Sequence, residues 1–548
     1  MKNPLVLLPK FCRLVLVAGV TALLPATGWA ATFYVAPTGI DTNAGTVAEP
    51  FATIMKAQEA ANTGDTIYLR GGTYKLTNDQ ITQTGGGYAY VNSFSKNGLS
   101  YLAYPGEKPV FDFTAVKPNN LRMCAFFVHA NNLHFKGFAI TGVQITIART
   151  HTQSECIRVE NGSHNTFDQL SMHDNLGIGI YMIRQSGDNL VLNCDAYNNY
   201  GLDSGSIGNS DGFGCHVQKG ATGNVFRGCR SWNNSDDGYD CIHCVEPVIF
   251  DHCWSYHNGY QEGTSGGDGN GFKIGGWNAQ TPPNPLPRHT VEFCLSAANK
   301  ANGFYANHQP GQDAYFYNNT AFGNGNNFDM LERLPDNVTD VPGTHEILHN
   351  NLGFKARAAE ITKLDETGEM VSNNFWSLNL TATENDFESI DATQMMQPRQ
   401  EDGSLPKITF MHLKKGSQFI DKGMDVKLLF SGSAPDLGCF EYTTLATPMK
   451  LTAVAGGAKV TLTWVAAPDA KTYTVWRLNN DGSGRHIVNS TITATTFTDA
   501  GLTNGADYYY SVSAANGTVA SDTSNIASAT AGATAAPAPA ATSESKAP

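Results

Sequence analysis

Charged side chains are scarce in this sequence, and positive charge is scarcer than negative charge. Only 16% of the residues are Asp, Glu, Lys or Arg, and the formal net charge is −13. An excess of negative charge repels the phosphates of nucleic acids and the anionic surface of membranes, which argues against both as partners. An acidic polysaccharide would be repelled as well, unless a bound cation linked it to the protein.

Long apolar runs are absent after the first thirty residues, so no later segment is predicted to cross a membrane. Residues 1–30 have the pattern of a secretory signal, with Lys2, Lys10 and Arg13, a short apolar run at 14–24 and a small-x-small site ending at Ala30. We therefore expect an exported protein, either extracellular or periplasmic. Removal of the signal takes away three positive charges and leaves a net charge of −16.

Long helical patterns are rare, whereas glycine is abundant, with 55 residues. Short strands joined by tight turns explain both features, so the predicted class is all-β. The length of 548 residues suits one large domain and one small domain. We place them at residues 31–445 and 446–531, followed by an Ala/Pro/Ser-rich tail at 532–548 that is predicted to be disordered.

A repeat with two fixed columns runs through the middle of the sequence. A column rich in Cys is followed, always five residues later, by a column of Asn that steps by 24, 35, 24, 41 and 25 residues. A unit of about 24 residues without a helix is typical of one coil of a parallel β-helix, and the longer steps indicate loops inserted into single coils. Column residues of stacked coils lie about 4.8 Å apart. We therefore expect the Asn side chains to hydrogen-bond along the stack and to tolerate left-handed turn geometry. The two columns are Leu170, Cys194, Cys229, Cys253, Cys294 and Asn319, and Asn175, Asn199, Asn234, Asn258, Asn299 and Asn324.

Ten cysteines remain after the signal, and four of them share one inward-facing column. Disulfides are common in exported proteins, but a shared inward column favours buried free thiols that act as small apolar side chains. Cys241 and Cys244 are not followed by a second pair at zinc-site spacing, so zinc ligation by cysteine is not predicted.

A second register of the repeat holds aromatic residues that are predicted to stack inward, namely Phe213, Tyr239, Phe272, Phe304 and Phe328. In this register Asp211 and Asp237 occupy one column on neighbouring coils. Asp240 and Lys273 occupy another column, and Asp236 lies beside Asp237. Four carboxylates are therefore predicted to converge on one patch with a lysine one coil away.

Clustered carboxylates raise one another's pKa and destabilise the fold, and a bound cation removes that cost. Oxygen ligands favour Ca²⁺ over Zn²⁺, and Mg²⁺ usually takes fewer protein carboxylates. A divalent cation would depress the pKa of Lys273 and make it a usable base. This combination predicts β-elimination from a uronic acid polymer, in which Lys273 removes the C5 proton, Ca²⁺ neutralises the uronate carboxylate and the bond to O4 breaks.

Three alternatives remain open. The calcium could be purely structural, as in a non-catalytic β-helix adhesin. A hydrolase could use Asp236 and Asp237 as acid and base without a metal, although the sequence lacks the Gly-His-Gly and Arg-x-Lys segments typical of polygalacturonases. A uronate epimerase would remove the same proton and return one to C5. Elimination alone would give an unsaturated product that absorbs ultraviolet light.

The segments NSDG at 209–212, NSDDGYD at 234–240 and GNGFKIGG at 269–276 resemble pectate lyases of polysaccharide lyase family nine. The N-terminal segment 33–74 is similar to the cap and first coils of that family, and the resemblance covers residues 31–445. It implies a right-handed parallel β-helix that cleaves polygalacturonate (pectin), or a related acidic polysaccharide, with Ca²⁺. It also implies a role for each residue of the patch, with Lys273 as the base and the calcium ligands being Asp211, Asp236, Asp237 and Asp240. We expect a monomer.

Several weaker expectations concern the rest of the chain. Residues 54–62 predict a short helix that caps the first coil, and 431–442 is expected to close the solenoid. Residues 446–531 resemble a fibronectin type III sandwich, for which a spacer role is expected. A second, structural calcium could use Asp421, Asp425 and Asp436. Sugar carboxylates could be held by Arg184, Arg227, Arg230 or Lys300.

Overall fold

The computed structural model describes residues 30–147, 153–202, 207–261, 264–277, 280–310, 314–367, 370–478, 485–517 and 519–532. The predicted signal segment and the predicted C-terminal tail lie outside these ranges, except for residues 30 and 532. None of the helices in these ranges has the length and apolar character needed to cross a membrane.

Residues 32–372 wind into coils whose short strands build three long parallel sheets, as the repeat predicts. Within the described ranges, sheet 1 contains Thr32–Val35, Thr66–Leu69, Ser100–Ala103, His134–Lys136, Thr166–Asp168, Leu190–Leu192, Asn224–Arg227, Val248–Asp251, Thr290–Glu292, Tyr315–Tyr317, Ile347–His349 and Val371–Ser372. Sheet 2 contains Gly72–Thr77, Pro109–Ala115, Ala139–Thr141, Ser171–His173, Asp195–Tyr197, Arg230–Trp232, Trp254–Tyr256, Leu295–Ala297, Thr320–Phe322 and Leu352–Phe354. Sheet 3 contains Gln83–Gly85, Tyr88–Phe94, Arg122–Val128, Glu155–Glu160, Ile178–Arg184, Phe213–Val217, Tyr239–Asp240, Phe272–Lys273, Asn302–Tyr305, Asn326–Asp329 and Ala359–Thr362. The strands pair in parallel except for Gln83–Gly85, which pairs antiparallel with Tyr88–Phe94.

The Asn column forms a continuous buried hydrogen-bonded ladder, which confirms the prediction. The Asn234 side chain, for example, donates to Asn258 Oδ1 over 3.0 Å, and Asn258 donates to Asn299 Oδ1 over 3.1 Å. The left-handed backbone geometry lies one residue earlier than expected, as at Asn233 with φ 53° and His257 with φ 53°. The turn therefore falls before each ladder residue, whose own side chain links neighbouring coils.

The interior of the coils is filled by stacked apolar columns. The rings of Tyr239 and Phe272 are parallel with centroids 4.5 Å apart, and those of Phe272 and Phe304 are 5.1 Å apart. The ten cysteines after the signal are free and buried, as predicted. Stacked side chains of this kind leave little freedom for register slips, because a shift by one residue would turn every column inside out.

The first coil is covered by the helix Ile54–Ala60, close to the predicted range. The Thr53 side chain accepts a hydrogen bond from Lys56 N and caps the helix, while Ile54 and Ala57 are buried against the coils. The described 3₁₀ helices are Asn78–Gln80, Glu384–Asp386 and Ala392–Met396. Smaller sheets in the loops comprise Tyr260–Gln261 with Thr264–Ser265, and Gln309–Pro310 with Leu331–Arg333 and Asp340–Pro342.

Residues beyond the last coil run back along the outer face of sheet 2. The guanidinium of Arg399 pairs with Asp195 at 2.7 Å, far from the last coil, and Cys439 N donates to Thr320 Oγ1 at 2.9 Å. The three carboxylates suggested as a second calcium site do not form one. Asp421 accepts hydrogen bonds from Ser433 N and Ala434 N, Asp436 accepts them from Asp421 N and Tyr442 N, and Asp425 pairs with Lys427. That expectation is wrong, because loop amides and a lysine already satisfy these groups.

The C-terminal region is a β-sandwich, as the fibronectin type III resemblance implied. One sheet contains Met449–Ala455, Lys459–Val465 and Thr496–Ala500, and the other contains Thr472–Leu478, Arg485–Ile492, Asp507–Asn516, Val519–Ala520 and Ala527–Thr530. The sandwich lies against the outer face of sheet 1. Leu192 packs with Leu478 and Tyr509, and the Tyr509 hydroxyl lies 2.7 Å from Thr166 Oγ1.

Candidate active site

The five predicted site residues meet on the outer face of sheet 3. Asp240 is paired in register with Lys273 on the next coil, and Gly214 is paired with Asp240 on the other side. The preceding residue of each strand belongs to the inward aromatic stack, which fixes the outward direction of Asp240 and Lys273. The columns inferred from the repeat are therefore confirmed at this position.

Lys273 lies among the carboxylates at ion-pair distance. Its Nζ is 3.0 Å from Asp237 Oδ2 and 3.4 Å from Asp240 Oδ2. Oxygens of Asp211, Asp237 and Asp240 all lie within 4.8 Å of one another, and all three residues are buried. Three of the four predicted carboxylates thus converge on a single point beside the lysine.

The fourth predicted carboxylate, Asp236, belongs to a neighbouring group. Oxygens of Asp236, Asp237 and Asp268 lie within 4.8 Å of one another, so Asp237 is shared by both groups. Asp268 N donates to Asp236 Oδ1 at 2.6 Å. The exposed carboxylate of Asp268 is 3.7 Å from Lys273 Nζ. Sequence reasoning missed Asp268, because it lies in an inserted loop outside the repeat columns and its position is set only by the folded loop.

Hydrogen bonds fix one oxygen of each buried carboxylate and leave the other for the patch. Asp237 Oδ1 accepts from Asn270 N at 2.6 Å and from Asn270 Nδ2 at 2.9 Å. Asp211 Oδ1 accepts from Asp237 N at 3.1 Å, and Asp240 Oδ1 accepts from Ile242 N at 2.7 Å. Asp237 Oδ2 is buried, accepts none of these amide hydrogen bonds and faces the Lys273 ammonium at 3.0 Å.

The crowding of charge perturbs every group in the patch. Burial, followed by repulsion from neighbouring carboxylates, raises the pKa of Asp211 and Asp236 well above the usual range. Burial also raises the pKa of Asp237 despite the opposing effect of Lys273. At Asp240, burial is outweighed by Lys273 and His216, and its pKa is lowered. Burial lowers the pKa of Lys273, but the four carboxylates outweigh burial and raise it well above its usual range. Without a cation, the lysine therefore remains protonated.

The donor set fits a hard divalent cation. Both carboxylate groups in the described chain supply oxygen atoms and neither includes His or Cys, which is the ligand chemistry of Ca²⁺ rather than Zn²⁺. Asp237 Oδ2, which is buried and faces the Lys273 ammonium at 3.0 Å, is the type of oxygen that a divalent cation would bind. Ligand positions from three coils would also tie those coils together.

Of the other basic residues considered from the sequence, the three arginines do not face this patch, whereas Lys300 Nζ donates to Gly266 O at 3.2 Å in the loop that carries Asp268. Arg227 pairs with Asp251 at 2.6 Å on sheet 1, and Arg230 pairs with Asp195 at 2.7 Å on sheet 2. Arg184 lies on sheet 3 but is paired with Glu160 at 3.0 Å. These contacts give the arginines structural roles, so Lys273 is the basic group at the centre of the site.

Comparisons with known proteins show the family of the chain. A family model described as the Pel9A-like right-handed β-helix region matches residues 33–351. The chain belongs to this family. Pectate lyase L of Dickeya chrysanthemi is 32% identical over 417 residues, which cover 75% of this chain and 90% of the relative.

Two solved structures extend the comparison to three dimensions. A rhamnogalacturonan lyase is 39% identical to this chain, with a TM-score of 0.67. The match covers 70% of this chain and 97% of the lyase. Pectate lyase Pel9A is 29% identical to this chain, with a TM-score of 0.62. The match covers 76% of this chain and 97% of Pel9A. This Pel9A-like family member is accordingly a polysaccharide lyase with a right-handed parallel β-helix.

Proposed function

We propose that this protein is an exported, calcium-dependent lyase that cleaves a uronate-containing pectic polysaccharide, such as polygalacturonate, by β-elimination. The observation that carries the proposal is the contact between Lys273 Nζ and a buried cluster of three carboxylates, whose negative charge a single ammonium group does not balance. The names of the relatives, pectate lyase and rhamnogalacturonan lyase, support a pectic substrate.

Asp211, Asp237 and Asp240 would hold Ca²⁺, with Asp236 contributing from the adjoining group. Bound Ca²⁺ would neutralise the uronate carboxylate and acidify the proton on C5. The hydrogen bonds from Asn270 to Asp237 and from Ile242 to Asp240 keep these carboxylates oriented before any ligand binds. Preorganised ligands of this kind do not need to rearrange during the reaction.

Lys273 is the proposed base. In a cation-free site its pKa is held high by the surrounding carboxylates, so it is charged and cannot accept a proton. Binding of Ca²⁺ by these carboxylates would remove that effect, and burial would then favour the neutral amine of Lys273. Neutral Lys273 takes the C5 proton, a C4–C5 double bond forms and the bond to O4 breaks. Activity is expected to rise toward alkaline pH, because the base must be neutral.

The alternatives agree less well with the site. A hydrolase that used Asp236 and Asp237 would leave the contacts of Lys273 without a catalytic purpose. An adhesin would need no base at the cation cluster. An epimerase shares the proposed proton abstraction and is separated from a lyase only by its product.

The test measures ultraviolet absorbance of unsaturated product on polygalacturonate and on rhamnogalacturonan at alkaline pH, with Ca²⁺ or EDTA. Lys273→Ala is expected to lower kcat by about 10²–10⁴-fold. The matched control is Lys427→Ala, an exposed lysine paired with Asp425, which should keep full activity. New reducing ends without absorbance would indicate hydrolysis. The absence of both signals on both polymers would refute the proposed function.

Export and oligomeric state are part of the proposal. The pattern of residues 1–30 supports cleavage before Ala31, and we propose that the mature protein acts as a monomer. N-terminal sequencing of protein recovered outside the cytoplasm, followed by light scattering, would test both. A mature chain that still begins at Met1, or a stable dimer, would contradict them.

A further inference from the structure

A short segment of an inserted loop supplies hydrogen bonds to two of the proposed calcium ligands. Asp268 N donates to Asp236 Oδ1 at 2.6 Å, and Asn270 N donates to Asp237 Oδ1 at the same distance. Both donors are backbone groups, and both acceptors are buried. The orientation of these two carboxylates therefore depends on where the backbone of the loop lies.

The segment has little stiffness of its own, because residues 266, 267 and 269 are glycines. Lys300, which lies one coil further along the stack, holds it from the opposite side. Its Nζ donates to Gly266 O at 3.2 Å and also to Gly267 O. Gly267 O and Asp268 N belong to the same planar peptide unit, in which C=O and N–H point in opposite directions. The ammonium group at one end thus aims the N–H at the other end toward Asp236.

The stem of the same lysine packs against the neck of the loop. Gly259 and Gly269 cross there, and both have positive φ, 89° and 75°. A Cβ on Gly269 would lie 2.4 Å from Gly259 Cα and 2.8 Å from Lys300 Cβ. Ala301 N, the next amide in the chain, donates to Gly269 O at 2.9 Å. Lys300 and its neighbour therefore fix both the neck of the loop and the peptide unit that reaches the site.

We propose that Lys300 is a positioning residue for the calcium ligands, acting through the peptide unit between Gly267 and Asp268 to hold Asp236 in its orientation. This inference rests on the proposed function, because it takes the cluster of Asp side chains as the Ca²⁺ site. Without the ammonium group the glycine-rich segment is free to rotate, and Asp236 loses a fixed donor. Loss of a group that orients a metal ligand weakens metal binding.

The charge of Lys300 has the opposite effect from its positioning role. A positive group near a cation site repels the cation, so removal of that charge alone would strengthen Ca²⁺ binding. The two effects of Lys300 on Ca²⁺ affinity therefore differ in sign, and a binding measurement separates them.

The experiment is a titration of the complete protein with Ca²⁺ by isothermal titration calorimetry, without substrate. Lys300→Met keeps most of the stem and removes the ammonium group, and it should raise the Kd for Ca²⁺ about tenfold. Lys300→Arg should restore part of the lost affinity, because a guanidinium can still donate to two carbonyls. In the lyase assay, the Ca²⁺ concentration for half-maximal activity of Lys300→Met should rise by the same factor, while kcat at saturating Ca²⁺ stays nearly unchanged.

The matched control is Lys96→Met. Lys96 makes the same type of contact far from the site, since its Nζ donates to Glu59 O at 2.7 Å and to Ala61 O at 2.9 Å at the end of the helix Ile54–Ala60. Its substitution should leave the Kd for Ca²⁺ unchanged. Melting temperatures in EDTA show whether each variant is folded, and Lys300→Arg tests the contact if Lys300→Met is not.

Each result supports or overturns the positioning role. An unchanged Kd in Lys300→Met would mean that the peptide contact does not affect the ligands, and a lower Kd would mean that only the charge acts. Equal weakening in Lys96→Met would show a general loss of stability instead. If the wild type bound no Ca²⁺ at all, the proposed function would fail together with this inference.

Discussion

Replacing Asp211 by Asn should stabilise the cation-free protein and weaken its response to calcium. Asp211 is buried among three other carboxylates, and its pKa is raised by burial first and by those neighbours second. Asn has the same shape, and its Oδ1 can keep the hydrogen bond from Asp237 N, which is 3.1 Å long in the wild type. The substitution therefore removes a charge with little change in packing.

The size of the effect follows from the spacing of the oxygens. Two unit charges at the 4.8 Å limit of the cluster repel by about 3.5 kcal/mol at an effective dielectric constant of about 20. Lys273 offsets part of this repulsion, as does protonation of Asp211. We expect a net gain of about 1–2 kcal/mol without a cation, which corresponds to a rise in Tm on the order of 1–2 °C for a chain of this length.

The pH dependence has a definite sign. A carboxyl whose folded-state pKa is raised stabilises the fold below its unfolded pKa of about 4, and this contribution is lost as the pH rises through the folded value. The advantage of Asp211→Asn in EDTA should therefore grow as the pH rises from about 4 toward neutrality. Calcium should raise the Tm of the wild type at neutral pH and that of the variant much less.

The assay is scanning calorimetry in EDTA and in CaCl₂ across this pH range. Asp168→Asn is the matched control, since Asp168 is buried beside Lys136 and its pKa is lowered to about 2. The control should lower Tm equally with and without Ca²⁺, and its effect should fade as the pH falls from about 4 to 2. If Asp211→Asn lowered Tm in EDTA, or if Ca²⁺ stabilised it as much as the wild type, the reasoning about this cluster would be wrong.

Two further predictions concern the framework. Asn258→Ala breaks the buried ladder at a residue that is hydrogen-bonded to Asn234 and Asn299. Chemical denaturation should show an unfolding free energy lower by about 3 kcal/mol. A loss below about 1 kcal/mol would mean that the ladder is not important for stability. Leu192→Asp places a charge in the apolar contact with Tyr509. It should release the sandwich and speed proteolytic cleavage near residues 443–449, and an unchanged cleavage rate would argue against this docking.

The repeat was enough to predict the coils and most of the site. Column positions determine which side chains are neighbours, so Asp240 and Lys273 could be placed together although 33 residues separate them. Asp268 could not be found in this way, because loop residues have no column. The contact of Asp236 with Asp268 also depends on the loop, which presents its amide to Asp236.

The course of the chain after the last coil was not predictable from the sequence. The contact of Arg399 with Asp195 joins residues 204 positions apart, and no periodicity connects them. The sandwich itself was visible from its alternating strands, but its position on sheet 1 depends on a few residues such as Leu192 and Thr166. The sequence suggests a spacer role for the C-terminal sandwich and does not predict that this domain packs along the coils.

The docking of the sandwich has a consequence for how the molecule comes apart. A solenoid ordinarily loses its terminal coils first, since each coil is held only by its neighbours. Here the C-terminal domain is fastened to coils in the middle of the stack, at Thr166 and Leu192, and the segment containing Arg399 is fastened to Asp195. Unfolding from the C-terminal end must first break these contacts. We therefore expect these contacts to slow unfolding. A slower unfolding rate lengthens the lifetime of a protein among proteases when cleavage is limited by unfolding.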